Sequence, residues 1–433
     1  MEEALAKRRR VEDDPILREL LSSSVTSKKL SYGTAGFRDH HSLLQGAMVR
    51  VGLLAALRSK NCAGDFVGVM VTASHNPEPD NGAKIVDSDG GMLAQSWEPH
   101  AENLVNAGET EDVFRILRTV EDLSKTEICR VVIGRDTRPH SQSLVGMAKK
   151  GAEFFGANVY DLGQVTTPQL HFVVMQLNSN SELGSKPPEH LLDTYYDTLA
   201  GGFLALIGTS DKQAHFKIIL DGSNGIGSVQ VGPLIEAINS KQPNTIEVDL
   251  RNRSGDGPVN DGCGAEMVQK MQTPPATMDP VSDSGKVAAS FDGDADRIVF
   301  HGFTTLEKWR LVDGDKIAAL IAVFLTTELS VCPWASDFSF GLVQTAYANG
   351  ASTAFLRSKG VKIVFAKTGV KYLHEKAHHF DCGIYFEANG HGTVLFSNAL
   401  QNKINIELQS VDSLPPRTAE AVKRLHVFIN QHK

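Results

Sequence analysis

The chain is short of sulfur, of long apolar runs and of positive charge, and each shortage removes a class of protein. Its five cysteines, Cys62, Cys129, Cys263, Cys332 and Cys382, stand far apart in 433 residues and show no CxxC spacing. An odd, scattered set of this kind argues against a disulfide framework or a structural zinc and points to a reducing compartment. The longest apolar run, Ile317 to Leu325, falls well short of the roughly 20 residues that a membrane-spanning helix needs, so it reads as a core helix. The opening segment MEEALAKRRRVEDD has no apolar stretch of the signal-peptide kind. Lys7 to Arg10 reads as a basic patch on a solvated tail. The formal net charge is −8, which disfavours non-specific nucleic-acid binding. An anionic substrate stays open, because local Arg, Lys and metal ions set the field inside a cleft. The expectation is a cytoplasmic protein with no membrane or nucleic-acid partner. Its oligomeric state is not legible.

At 41% hydrophobic and 22% charged residues, the composition is that of an ordinary globular protein, and the length exceeds one core. Six short apolar segments each run into a loop of Gly, Asp, Ser or Asn: DFVGVMVTASHNP, RVVIGRDTRP, FKIILDGSNGIG, KVAASFDGDADRIVF, FGLVQTAYANGAST and CGIYFEANGHGTVLFS. Strands alternating with helical patterns predict α/β sheets with helices on both faces, and ligands gather outside the carboxyl ends of such strands. Polar breaks near 178–188 and just after Phe300 divide the chain. The expected organisation is a tail and short helix over 1–30, three consecutive α/β domains with mixed or parallel sheets over 31–180, 181–300 and 301–415, and a C-terminal helix over 416–433.

FDGDADRIV carries the sharpest chemistry. Asp292, Asp294 and Asp296 alternate along an extended segment, and a period of two puts all three carboxylates on one side. Their mutual repulsion is relieved by a hard cation, and oxygen ligands favour magnesium. Arg297 adjoins them, an arrangement suited to a phosphate bridging metal and guanidinium. A calcium loop of the EF-hand type is excluded, since its sixth and twelfth places hold Arg297 and Phe303 rather than Gly and Glu. An aspartyl-phosphate hydrolase and a solvated acidic turn stay open beside the metal site.

TASHNP, Thr72 to Pro77, is not the GxSxG of a serine hydrolase. By itself it is a turn of Ser74, Asn76 and Pro77. Beside the acidic loop it reads as the place for a phosphoserine, a stored phosphoryl group next to magnesium, with Lys84 expected on the same loop. YGTAGFRD offers Arg38 after a Gly-rich turn. GRDTRP offers Arg135 and Arg138, as phosphate clamps or as interface ion pairs. In YFEANGHGT, Glu387 and Asn389 suit a pair of sugar hydroxyls, and His391 can carry a proton at neutral pH. Lys367 and Thr368 of KTGVKYLH can reach the same ligand, or they simply start a helix.

In this order, from about Tyr32 to Ser397, the motifs resemble those of the α-D-phosphohexomutases. The resemblance implies a phosphorylated Ser74, with Ser74, Asp292, Asp294 and Asp296 holding one Mg2+ per chain. It implies Arg297 beside the phosphoserine, Lys84 as an active-site lysine, and a sugar-recognition loop at Glu387, Asn389 and His391. FEANGHGT, QTAYANGAST and KTGVKYLH are closest in wording to the branch that interconverts N-acetylglucosamine 6-phosphate and 1-phosphate on the way to UDP-N-acetylglucosamine. The implied substrate is a phosphorylated amino sugar. The implied intermediate and activator is a glucosamine-type 1,6-bisphosphate. The family's fourth domain, with its Arg-x-Ser-Gly-Thr phosphate loop, has no counterpart after Ser397, so the expectation is a phosphohexomutase-type chain of three domains without the fourth. Two other readings follow from that expectation: a non-catalytic relative that binds magnesium and sugar phosphate, and a sugar-phosphate phosphatase that leaks its intermediate to water.

Overall fold

The computed structural model describes residues 15–22, 28–33, 36–179, 190–208, 215–304 and 308–430. The Lys7–Arg10 patch and most of the 178–188 break lie outside the described residues. Three sheets follow one another along the chain.

The first sheet contains β1 (Phe37–His40), β2 (Phe66–Val71), β3 (Asp80–Val86), β4 (Arg130–Arg135) and β5 (Asn158–Gln164) in the order β1-β3-β2-β4-β5. β2, β4 and β5 run parallel, and β3 alone is reversed, pairing antiparallel with β2 on one side and with β1 on the other. Every residue of β2 is buried, as the continuous apolar run FVGVMV requires of a strand covered on both faces. Its alternation sorts the two faces. Val67, Val69 and Val71 join the large core beneath the Gln45–Asn61 and Ser141–Phe154 helices, and Phe66 and Met70 pack with Leu170, Val173 and Val174 of the Thr167–Ser179 helix. The short Pro15–Ser22 helix buries Leu17 and Leu21 in the same large core.

The second sheet holds β6 (Phe216–Asp221), β7 (Ile246–Arg251), β8 (Val287–Phe291), β9 (Ile298–Phe303) and β10 (Trp309–Val312), in the order β10-β9-β8-β6-β7. The division expected just after residue 300 falls inside β9, where Phe300 pairs with both Ala289 and Val312. The second sheet therefore runs on to Val312. β9 pairs antiparallel with β8 and β10 antiparallel with β9, and the edge strand WRLV lacks the apolar run that marks a central strand.

The third sheet, β12-β11-β13-β14, contains β11 (Phe340–Thr345), β12 (Lys362–Ala366), β13 (Cys382–Phe386) and β14 (Gly392–Phe396). The Pro416–Asn430 helix belongs to this layer's core. Ala421, Val422, Leu425 and Ile429 pack in one cluster with Leu342 and Ile384, and Phe428 lies 5.2 Å from the Phe324 ring. Each of the six polar loops follows the carboxyl end of its strand, as α/β topology requires.

Candidate active site

The site begins at the end of β2, where the chain leaves the sheet through Thr72 and Ala73. Ser74 has φ +52°, a region non-glycine residues seldom adopt. The loop holds it there. The Ser74 N–H donates to Thr72 Oγ1 at 2.9 Å, and the Ser74 carbonyl accepts from Arg138 Nη2 at 3.1 Å and Asn260 Nδ2 at 2.8 Å. The same two side chains bind the Asn76 carbonyl. Arg138 is buried against Asp136, whose carboxylate also accepts from Thr72 Oγ1. Arg138 therefore braces the serine loop from behind. Arg135 lies apart, 3.7 Å from Asp161.

The acidic loop follows β8 and reaches Ser74 from the second sheet. Ser74 Oγ donates to Asp292 Oδ2 at 2.7 Å, across 218 residues of sequence. Gly293 makes that approach possible: a Cβ there would lie 2.6 Å from the Ser74 carbonyl oxygen and 2.8 Å from Val259. Asp292, Asp294 and Asp296 each offer a carboxylate oxygen, all within 4.8 Å of one another. Alternation thus brings the three together as the sequence predicts.

Lys84 is not on the serine's loop. It sits inside β3, opposite Met70 of β2, and its ammonium donates to Asp294 Oδ2 at 2.8 Å and Asp296 Oδ2 at 2.7 Å. Thr167, the first residue of its helix, adds a hydroxyl donor to the same Asp294 oxygen at 2.6 Å. Asp294 Oδ1 and Asp296 Oδ1 are buried with no hydrogen-bond partner among the described residues. Lysine and cation thus have separate oxygens of the same carboxylates to bind. Buried anionic oxygens left bare are costly, and a hard divalent cation fits the donor set.

Burial pushes all three carboxyls upward, and at Asp292 and Asp294 the repulsion of neighbouring carboxylates adds to it. Asp292 ends well above the ordinary carboxylate range. Asp294 ends below it because Lys84 and Thr167 outweigh those effects, and Asp296 well below it because Lys84, His391 and Arg297 face it. Burial alone would lower Lys84, but Asp294 and Asp296 outweigh that and raise it.

Arg297 donates to Glu266 Oε2 at 2.7 Å, and its Nε lies 3.7 Å from Asp292 and 3.6 Å from Asp296. Arg38 reaches the serine loop from β1 and donates to Asn76 Oδ1 at 3.1 Å. Its Nε and Nη2 are buried without a hydrogen-bond partner among the described residues, as is Arg297 Nε. Two guanidinium groups therefore keep donors free beside the serine loop, the arrangement that receives an anion. His75 stands 3.9 Å from Glu266, and burial with the neighbouring Arg297 lowers it to about 3.

The third sheet supplies the Glu387–His391 turn. Gly390, at φ +89°, passes so close to the Ile298 carbonyl that a side chain there would collide with it, so the turn docks directly behind the acidic loop. His391 Nδ1 lies 3.9 Å from Asp296 Oδ1. Burial lowers His391, with Arg297 and Lys84 acting in the same direction. Asn389 Oδ1 accepts from the His391 N–H at 3.1 Å, which shapes the turn. Glu387 Oε1 accepts from the Gly369 N–H at 3.1 Å. Lys367 and Thr368 are exposed at the end of β12, and the contact to Glu387 comes from the backbone of the next residue instead.

Sequence reasoning missed Glu266, Thr167 and Asn260. Each acts through a partner 31, 127 or 186 residues away, and none lies in a motif.

Three successive α/β layers, with a serine loop, an acidic loop and a carboxylate-bearing turn meeting at one point, define a protein of the α-D-phosphohexomutase superfamily. Family models agree. "Phosphoglucomutase/phosphomannomutase, alpha/beta/alpha domain I" matches residues 48–112 and 111–183. "Phosphoacetylglucosamine mutase AMG1, domain II" matches 188–299, and domain III of the same family matches 313–433. The chain belongs to the phosphoacetylglucosamine mutase family. It is 43% identical to the phosphoacetylglucosamine mutase of Oryza sativa subsp. japonica over 391 residues, 86% of this chain and 67% of the rice protein. It is 42% identical to that of Homo sapiens over 409 residues, 93% and 72% of the two chains. A crystal structure of the Aspergillus fumigatus N-acetylphosphoglucosamine mutase with GlcNAc-6P and magnesium superposes with a TM-score of 0.83 at 36% identity, covering 96% of this chain and 76% of that one. Among the described residues, no helix is long and apolar enough to cross a membrane.

Proposed function

We propose that the chain interconverts N-acetylglucosamine 6-phosphate and 1-phosphate by way of a phosphorylated Ser74 and a 1,6-bisphosphate. The observation that carries this reading is the 2.7 Å contact between Ser74 Oγ and Asp292 in a buried cradle that also holds Asp294, Asp296, Lys84 and Arg297. An oxygen nucleophile set among carboxylates that invite a cation, with guanidinium donors free beside it, suits transfer of a phosphoryl group. The relatives' structures with GlcNAc-6P and magnesium, and with glucose 1,6-bisphosphate, support the same substrate class and intermediate here.

Asp292, Asp294 and Asp296, joined by an oxygen of Ser74 or its phosphate, would hold one magnesium ion per chain. Bound there, it would neutralise charge on the phosphoryl oxygens. In the forward half-reaction the sugar's free hydroxyl attacks the phosphorus on Ser74. The new oxygen–phosphorus bond forms as the Oγ–phosphorus bond breaks. His391, held neutral by burial and by Arg297 and Lys84, takes the hydroxyl proton. Lys84, kept charged by two carboxylates, returns a proton to Oγ. The bisphosphate turns over in the cleft, and the reverse sequence restores phosphoserine and releases the isomer. Arg297 and Arg38 grip the moving phosphoryl group, and Glu387 and Asn389 read the sugar hydroxyls, with Lys367 and Thr368 at the edge of that subsite. We assign the reaction to UDP-N-acetylglucosamine synthesis in the cytoplasm.

The test is a coupled assay for the 1-phosphate, with N-acetylglucosamine 6-phosphate, magnesium and a trace of 1,6-bisphosphate, beside a Ser74→Ala control. Turnover that disappears in the control is expected. Turnover that survives Ser74→Ala refutes the phosphoserine route. Inorganic phosphate released in place of 1-phosphate would put a phosphatase first.

A further inference from the structure

The helix that follows Gly369 is tied to the first layer by an ion pair that joins a lysine of the KTGVKYLH motif to a carboxylate outside every motif. Lys371 Nζ lies 2.7 Å from Glu98 Oε1 and 2.8 Å from Oε2, across 273 residues, with side chains only 12% and 19% exposed. Lys371 is the second residue of the Val370–Ala377 helix, in the first turn, where the helix dipole disfavours a cation. Its placement there is compensated by Glu98, itself the first residue of the Glu98–Val105 helix, where a carboxylate is favoured. One turn further along the same helix, Glu375 accepts from Gln95 Nε2 at 3.3 Å. Met92 packs against the cluster that contains Val370 and Leu373. The stretch 92–98 thus grips one face of this helix by an apolar contact and two polar ties.

The helix begins at Gly369, whose N–H is the donor that holds Glu387 Oε1. The gripping stretch follows β3, the strand that carries Lys84 to Asp294 and Asp296. Glu98 and Lys371 also line, with Lys84 and His171, a small cavity beside β3. One run of chain, 84–98, therefore touches the acidic loop at one end and fixes the mount of the sugar-reading carboxylate at the other.

We propose that the Glu98–Lys371 pair is a positioning device for sugar recognition: it sets the start of the 370–377 helix, and through the Gly369 N–H the orientation of Glu387. This rests on the assignment of Glu387 to the sugar. Neither Glu98 nor Lys371 touches the reacting atoms, so their loss weakens substrate capture more than phosphoryl transfer.

Steady-state kinetics on Lys371→Met, Glu98→Gln and the exchanged pair Glu98→Lys/Lys371→Glu test it, with thermal unfolding measured in parallel. Lys371→Met is expected to raise KM for N-acetylglucosamine 6-phosphate about tenfold with kcat within about threefold, a coupling of ordinary size for a contact between domains. Glu98→Gln keeps one acceptor and should raise KM about threefold. The exchanged pair should recover most of the loss. A KM for Lys371→Met within twofold of the parent overturns the proposal. So does a fall in kcat that tracks a lower Tm, or an exchanged pair no better than the single variants. Those outcomes are read against a parent chain that forms the 1-phosphate. A parent that neither binds nor converts the sugar phosphate instead overturns the functional reading beneath the proposal.

Discussion

Gly293 offers a direct test of how closely the serine and acidic loops must meet. A Cβ at this position would stand 2.6 Å from the Ser74 carbonyl oxygen, 2.8 Å from Val259 Cγ1 and 2.9 Å from Asn260 Nδ2. An ordinary contact begins near 3.4 Å, so Gly293→Ala must separate the loops by most of an ångström or tilt the Asp292–Asp296 segment. The backbone oxygen cannot move alone, because Arg138 and Asn260 both hold it. The Ser74 Oγ to Asp292 contact of 2.7 Å lies on the same short path and opens with it. A misplacement of about 1 Å at a reacting centre costs on the order of 100-fold in rate. We therefore expect kcat to fall about 100-fold, with KM for the sugar phosphate little changed, because the Glu387–His391 turn proposed to read the sugar belongs to another sheet. The control is Gly201→Ala, inside the His190–Ile207 helix and with nothing within 4 Å of a new Cβ. It should leave kcat unchanged and stabilise the chain by up to about 1 kcal/mol. If Gly293→Ala keeps kcat within threefold of the parent in a chain of parental stability, the close docking of the two loops is not what the chemistry needs.

Lys84→Met leaves the Asp294 and Asp296 carboxylates buried without their nearest cation. Breaking a buried pair of this kind costs about 3–5 kcal/mol. Urea unfolding in EDTA should show that loss, saturating Mg2+ should recover part of it, and an equal loss with and without the ion would refute the shared-oxygen geometry. His301 is buried beneath Trp309, whose indole N–H donates to His301 Nδ1 at 3.4 Å while Nε2 meets Ser290 Oγ at 2.9 Å. An indole only donates, so this ring must be neutral, and burial lowers its pKa from 6.5 to about 4. Between those values the unfolded chain binds more protons than the folded one. Stability should thus fall as the pH drops from 6.5 toward 4, by up to about 3 kcal/mol from this group. His301→Gln should flatten that part of a urea-unfolding pH profile, and an unchanged slope would refute the assignment.

What the sequence revealed of the site is what lies close together along it. Alternating Asp292, Asp294 and Asp296 announced one carboxylate face because a period of two is a local property of extended chain. Lys84 was legible as a participant but not in its place. Its place ten residues past Ser74 predicts a shared loop, whereas the chain has already turned back into β3 there, and the lysine reaches the acidic loop from inside a strand. Lys367 and Thr368 drew attention as polar side chains, yet the contact to Glu387 is made by the Gly369 backbone, and a backbone donor leaves no trace in residue type. The limit of the second sheet was misplaced for a related reason. Edge strands such as β10, half exposed and mixed in composition, do not carry the apolar signature of central ones.

The three loops are not joined equally, and the inequality assigns their roles. Serine and acidic loops are joined by Gly293 beneath Ser74 and by the serine–aspartate bond, and Asn260 of the second layer holds two further carbonyls of the serine loop. A second bond pair, from Thr167 to Asp294, ties the acidic loop to the first layer again. The Glu387–His391 turn meets that assembly through a 3.5 Å bond from Ile298 N to the Gly390 carbonyl and a 3.9 Å approach of His391 to Asp296. Phosphoryl transfer depends on fixed geometry, so its parts are held by short contacts from two sheets. The proposed sugar site has to accept a ligand and release it turned around, and its carboxylate is held by a third sheet and from outside, through Gly369 and the Glu98–Lys371 tie. Substitutions at Gly293 or Asn260 should accordingly appear in kcat, and substitutions along 369–371 or at Glu98 in KM. A set of variants in which the two groups cannot be separated by that ratio would mean the cradle works as a single rigid body.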